Sequence, residues 1–144
     1  MQAQVSPGTR SKATLVLGMI DERGAVRFEI VADRTARTLE RAIVRHVARG
    51  SIVHTDEWRA YSRLSIIGFV HHTVNHSERF VSPEGVHTQR IESQWRQIRR
   101  KFSRGGMHHD VIKAHLAEYT RRRACRLSHV DPFISLVQLI KDSN

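Results

Sequence analysis

ATLVLGMIDERGAVRFEIV, residues 13–31, is the stretch on which the fold turns. Residues 13–20 make a short apolar run, residues 21–24 (DERG) are turn formers, and residues 25–31 alternate apolar and polar positions. Two such runs around a Gly-containing tetrapeptide predict a β-hairpin. Upstream, residues 1–12 (MQAQVSPGTRSK) are polar, contain Pro7 and Gly8, and read as a flexible leader. Downstream, Asp33 and Thr35 are candidate caps for a helix over residues 36–49, which places Leu39, Ala42, Ile43 and Val47 on one face and ends at Gly50. A strand at 51–54 runs into Thr55 and Asp56, residues 57–64 predict a helix, and residues 69–74 a strand. Residues 75–86 hold Pro83 and Gly85 and read as a loop. Residues 88–102 predict a helix with Ile91, Trp95, Ile98 and Phe102 at helical spacing. Gly105 and Gly106 break it, and Asp110 caps a further helix to residue 126 with Leu116 and Tyr119 facing inward. Asp131-Pro132 opens a last helix whose apolar face is Phe133, Leu136, Val137 and Ile140. The order β-β-α-β-α-β followed by three helices is an α/β or α+β pattern.

Composition bounds the partners. The 144 residues suit one domain. No apolar run approaches the roughly 18 residues a membrane span needs, and the polar first residues hold no secretory signal region. Cys125 is the single cysteine, so an internal disulfide is excluded and a reducing compartment fits. Formal net charge is +10 and the pI is about 11.1. Lysine occurs only at Lys12, Lys101, Lys113 and Lys141, so arginine supplies most of the charge. Its planar fork of donors suits phosphate, which points to a nucleic-acid partner; an acidic protein partner is the alternative.

Few residues invite chemistry. Asp56 ends an apolar strand, where ligands gather in open α/β sheets, but it also suits the N-cap of the helix predicted at 57–64. Glu92 has two readings, a metal ligand or an i,i+4 partner for Arg96. Together Asp56 and Glu92 offer the hard oxygens that Mg²⁺ or Mn²⁺ prefers. His71, His72, His76, His87, His108 and His109 lack zinc-site spacing with the lone cysteine, so structural zinc is set aside. His76 and His87 read as crevice or phosphate contacts. Cys125 reads as a buried small side chain. Arg90, Arg96, Arg99, Arg100, Lys101 and Arg104 crowd one segment, and Arg121, Arg122, Arg123 and Arg126 another. Phosphate contact is the functional reading of both crowds, a solvated face the bland one.

Three motifs carry a resemblance: HTDEWRAYSRL (54–64), HHTVNHSERFVSPEGVHTQRIESQW (71–95) and AEYTRRR (117–123), with weaker support from ATLVLGMIDERG (13–24) and ADRTARTLERAIVRHVARGS (32–51). In this order they resemble the catalytic domain of Merlin-type transposases and their bacterial insertion-sequence relatives. The resemblance implies an RNase H-like mixed sheet flanked by helices over residues 13–126, with residues 127–144 as a C-terminal helix. It implies DDE-type, Mg²⁺- or Mn²⁺-dependent strand cleavage and transfer on DNA, by a homo-oligomer with no membrane partner. Asp56 then matches the second catalytic carboxylate. Glu92 takes the third position, with Gln89 as rival ligand, because some bacterial relatives have an asparagine there. Arg99 stands where relatives often have lysine, and Arg90, Arg96, Arg99, Arg100, Lys101 and His76 are the expected DNA contacts.

The resemblance also implies a first catalytic aspartate on a strand before residues 13–20, and the sequence is read as beginning too late to contain it. Asp21 and Glu22, in a turn, are poor substitutes. The expectation is therefore an N-terminally truncated sheet with an unpaired strand, and a domain weakly active or inactive alone. The rival expectation is a catalytically dead, transposon-derived DNA-binding or regulatory protein, and a decayed gene is a third. Localisation follows the host: nuclear in a eukaryote, cytoplasmic or nucleoid in a bacterium.

Overall fold

A computed structural model describes residues 1–6, 14–56, 58–74, 89–102 and 109–143. Among the described residues five strands make one mixed sheet: β1 (Gln2–Ser6), β2 (Leu15–Ile20), β3 (Val26–Val31), β4 (Ile52–Asp56) and β5 (Val70–Val74), in spatial order β3-β2-β1-β4-β5. β1, β2 and β3 are antiparallel to their neighbours in turn, and β4 and β5 join in parallel beyond β1. With α1 (Ala36–His46), α2 (Gln89–Phe102), α3 (His109–Leu127) and α4 (Pro132–Asp142), this is the α/β, RNase H-like arrangement.

The sheet corrects the reading of the first residues. Gln2–Ser6, expected as part of a loose leader, is the central strand. β2, expected to have lost its inner neighbour, is paired with β1 on one side and β3 on the other. Residues 7–13 lie outside the described residues.

Period-two alternation then sorts the side chains to two faces. Leu17 and Met19 of β2, Ala3 of β1 and Val53 of β4 pack with Leu39, Ala42 and Ile43 of α1. Val16 and Ile20 of β2 and Val26 of β3 face Ile91, Trp95 and Ile98 of α2 and Leu116 and Tyr119 of α3. α1 starts as expected: the Thr35 side chain accepts from the Thr38 amide, and Asp33 in turn holds Thr35 at 2.9 Å. Hydrogen bonds from Thr35 and Thr38 lower the pKa of Asp33. Residues 58–64 do not form the helix expected over 57–64. They make only a 3₁₀ turn, Arg59–Tyr61, with turns after it.

β2 and β3 join through the predicted turn, where the Ala25 amide donates to Asp21 Oδ1 at 2.8 Å. Gly24 has φ +88, a left-handed conformation that glycine adopts without strain. Two helices clasp this turn. Arg90 of α2 donates to the Glu22 carbonyl at 2.9 Å, and Arg123 of α3 donates to that of Gly24.

Gln2 is 6% exposed, and its Oε1 accepts from the Ile91 amide at 3.2 Å. The first-turn amides of a helix have no partner within the helix, so β1 supplies one from outside. Gln2→Ala strips that acceptor and is expected to cost about 1–2 kcal/mol, seen as a lower urea midpoint at unchanged m. An unshifted midpoint would show that the contact contributes nothing.

Candidate active site

β4 and β1 run parallel at the middle of the sheet, so their carboxyl ends open on one edge, where crevices form in α/β sheets. Asp56 is the last residue of β4. Its Oδ1 accepts from the Trp58 amide at 3.4 Å, a long contact that closes a local turn and does not cap a helix. Asp56 lines a shallow cleft with Arg34, Leu39, Trp58 and Tyr61. The Arg34 guanidinium stacks 4.3 Å from the Trp58 ring centroid, and half of Trp58 is open to solvent. Tyr61 is buried with its hydroxyl unpartnered. Burial raises the Tyr61 pKa well above its ordinary value; Asp56 adds to the shift and Arg34 opposes it. The motif WRAY thus folds back so that Trp58 and Tyr61 flank the acid that precedes them. Arg34, from the segment before α1, joins them and carried no signal in the sequence.

Glu92 lies in the first turn of α2 and is half-buried. α2 packs over β1 and β2, fixed there by the Gln2–Ile91 bond one residue before Glu92. β1 therefore lies between the strand that ends in Asp56 and the helix that carries Glu92. Its residues are Gln2, Ala3, Gln4, Val5 and Ser6, with no acid among them. Among the described residues no three His, Cys, Asp or Glu side chains gather as a metal site would require. Gln89 begins α2, but its side chain is not among the described ones, and His76, His87 and Glu57 lie outside the described residues.

Arg90, Arg96, Arg99 and Arg100 are all exposed along α2, and Arg90 also donates to the Glu22 carbonyl of the β2–β3 turn. Lys101 lies near the end of α2, its side chain outside the described set. The second crowd is largely engaged inside the chain. Arg121 pairs with Glu118 at 2.9 Å and donates to the Pro132 carbonyl at 2.6 Å, Arg122 pairs with Glu118, and Arg123 holds the Gly24 turn. Hydrogen bonds from Arg121 and Arg122 lower the Glu118 carboxyl to a pKa of about 2. Cys125 is buried, as expected.

Of the remaining histidines, His54 and His72 stack across β4 and β5 with centroids 5.3 Å apart, and His71 bonds Thr55 at 2.8 Å. Burial, followed by the neighbouring His72, lowers the His71 pKa.

A strand order of β3-β2-β1-β4-β5, an aspartate closing β4 and a glutamate opening α2 are now joined by one comparison: residues 2–127 match the family model of the ISXO2-like transposase domain. The chain belongs to that family. No curated protein matches it. The match includes β1 within the transposase domain and ends at the last residue of α3, so α4 lies outside it. Transposases of the DDE class work with divalent cations. The described residues of this transposase domain do not fit a two-ion centre, because the strand between Asp56 and Glu92 presents amides where such a centre needs a charged oxygen. No helix among the described residues is long and apolar enough to cross a membrane.

Proposed function

We propose that this transposase domain binds duplex DNA through the exposed arginines of α2, and that alone it is weakly active or inactive in strand cleavage and transfer. The supporting observation is the acid-free central strand between Asp56 and Glu92. In this reading Asp56 and Glu92, with Gln89 as the rival third ligand, are remnants of a Mg²⁺ or Mn²⁺ centre. Arg96, Arg99, Arg100, Lys101 and His76 face the phosphates, while Arg90 serves the fold. Gln89 stands where some bacterial relatives have asparagine, which favours the eukaryotic Merlin branch and a nuclear protein; a bacterial host would put it in the cytoplasm or nucleoid.

Self-association is part of the reading. The unpaired strand expected in the sheet would have offered an edge for a dimer, but β2 is paired on both sides. The exposed apolar residues of α4, Phe133, Ile134, Leu139 and Ile140, favour association through this C-terminal helix instead.

The test is a nicking and strand-transfer assay with Mg²⁺ or Mn²⁺, run beside duplex binding. Binding is expected to survive Asp56→Ala and Glu92→Ala, with turnover at or near background. Robust turnover abolished by Asp56→Ala would overturn the inactivity. Trace turnover lost in Asp56→Ala marks a weak enzyme; DNA binding with no turnover at all marks the second reading, a dead DNA-binding or regulatory protein. Absence of duplex binding at low salt removes both.

A further inference from the structure

The register of the two central strands traces the acid-free centre to one side chain. β1 runs parallel to β4 with Gln2 opposite His54 and Ala3 opposite Thr55. Carried on by one residue, that register sets Gln4 beside Asp56. Gln2 and Gln4 share a face because strand side chains alternate. That face is the one covered by α2, since Gln2 Oε1 accepts from the Ile91 amide. On its other side Gln4 pairs with Gly18, over which the Trp95 indole of α2 is packed. Gln2 is buried and committed to α2, whereas Gln4 is half-buried and stands at the open end of the two parallel strands.

We infer that Gln4 occupies the ligand position between Asp56 and Glu92, and that its neutral amide is what prevents this chain from holding a divalent cation. The inference rests on the proposed role of those two acids and goes further by naming the residue that decides the outcome. An amide oxygen can touch a hard cation, but it brings no charge. Mg²⁺ and Mn²⁺ give up hydration water reluctantly and are drawn by carboxylates, so affinity follows the number of charged ligands. Two acids alone leave two dications undercompensated, and attraction at short range in a half-buried place is strong enough for one added charge to matter. Gln4→Asp supplies that charge within a strand position already solvent-accessible on one side.

The probe is Mn²⁺ alone, titrated into the full chain and read by the loss of the free-ion electron paramagnetic resonance signal. Wild type and Gln4→Asn are expected to show only weak, unsaturated binding. Gln4→Asp is expected to bind at least about tenfold more tightly, and adding Asp56→Asn is expected to cancel the gain. Gln4→Glu gives a second reading of the same charge should the aspartate variant fold poorly by circular dichroism.

Wild type binding Mn²⁺ as tightly as the acidic variants would overturn the inference. So would folded acidic variants that gain nothing, or a gain that persists without Asp56. Duplex binding by the wild type, measured without metal, stands apart: its loss sinks the DNA reading and leaves the Mn²⁺ result to be judged separately.

Discussion

Gly18→Ala is expected to lower the thermal midpoint by roughly 5–10 °C, equivalent to about 2 kcal/mol or more. A methyl group there would sit 2.5 Å from one indole carbon of Trp95, 3.0 Å from a second, and 3.1 Å from Phe28. Trp95 has nowhere to go. It is 4% exposed, and Phe28 meets its ring edge-on at 5.2 Å between centroids. Phe28 in turn abuts Tyr119 at 6.0 Å. The Tyr119 hydroxyl donates toward Gln94 at 2.8 Å and Gln97 at 3.0 Å, so a push on the indole is passed into the polar contacts between α2 and α3. Close-packed interiors transmit such displacement instead of absorbing it. Trp95→Phe in the same chain should return part of the loss by removing the ring the methyl strikes. The double-mutant cycle is then expected to show a coupling of about 1 kcal/mol or more. Unchanged melting in Gly18→Ala would show that the aromatic cluster is looser than its geometry implies.

The second large effect concerns DNA. Arg96, Arg99 and Arg100 fall on one side of α2, being three and four residues apart. If each neutralises one phosphate, replacing all three by alanine should lower the slope of log affinity against log salt by about 2.7. Extrapolated from 1 M to 0.1 M salt, that slope is a loss of roughly 500-fold. Arg121→Ala and Arg123→Ala serve as controls, since their guanidiniums hold Glu118, Pro132 and Gly24 within the fold. Those changes should lower stability and leave the salt slope nearly as it was. Fluorescence anisotropy with a short duplex at several salt concentrations measures both. An equal slope in the α2 triple variant would move the DNA surface off this helix.

The sequence made some of this architecture readable and concealed the rest for identifiable reasons. The hairpin of β2 and β3 could be read because alternation and turn chemistry agree over residues 13–31. The cap of α4 could be read because Asp131 before Pro132 leaves few alternatives, and its side chain does accept from the Phe133 and Ile134 amides. β1 escaped because a central strand is expected to be apolar, and QAQVS carries glutamine on the face that meets α2. Its glutamines make sense only once the Ile91 amide is brought to Gln2, an interaction across 89 positions. The helix expected after Asp56 failed because that carboxylate closes a turn with Trp58 and the chain folds back over Tyr61. As for the arginines, local sequence could count the guanidiniums but not tell that those of Arg121, Arg90 and Arg123 reach Glu118, Glu22 and Gly24.

The spatial order of the sheet also dictates a timetable. β1, β2 and β3 are successive neighbours, so their three-stranded meander can close through short connections as soon as residue 31 is available. The parallel partner of β1 comes half a hundred residues later, and a ladder bridging so long a gap in the chain forms against a larger loss of freedom and more slowly. Pulsed hydrogen-exchange labelling during refolding is therefore expected to show early protection of amides in the meander and late protection in β4 and β5. The edge that bears Asp56 would be the last part of the platform to be assembled.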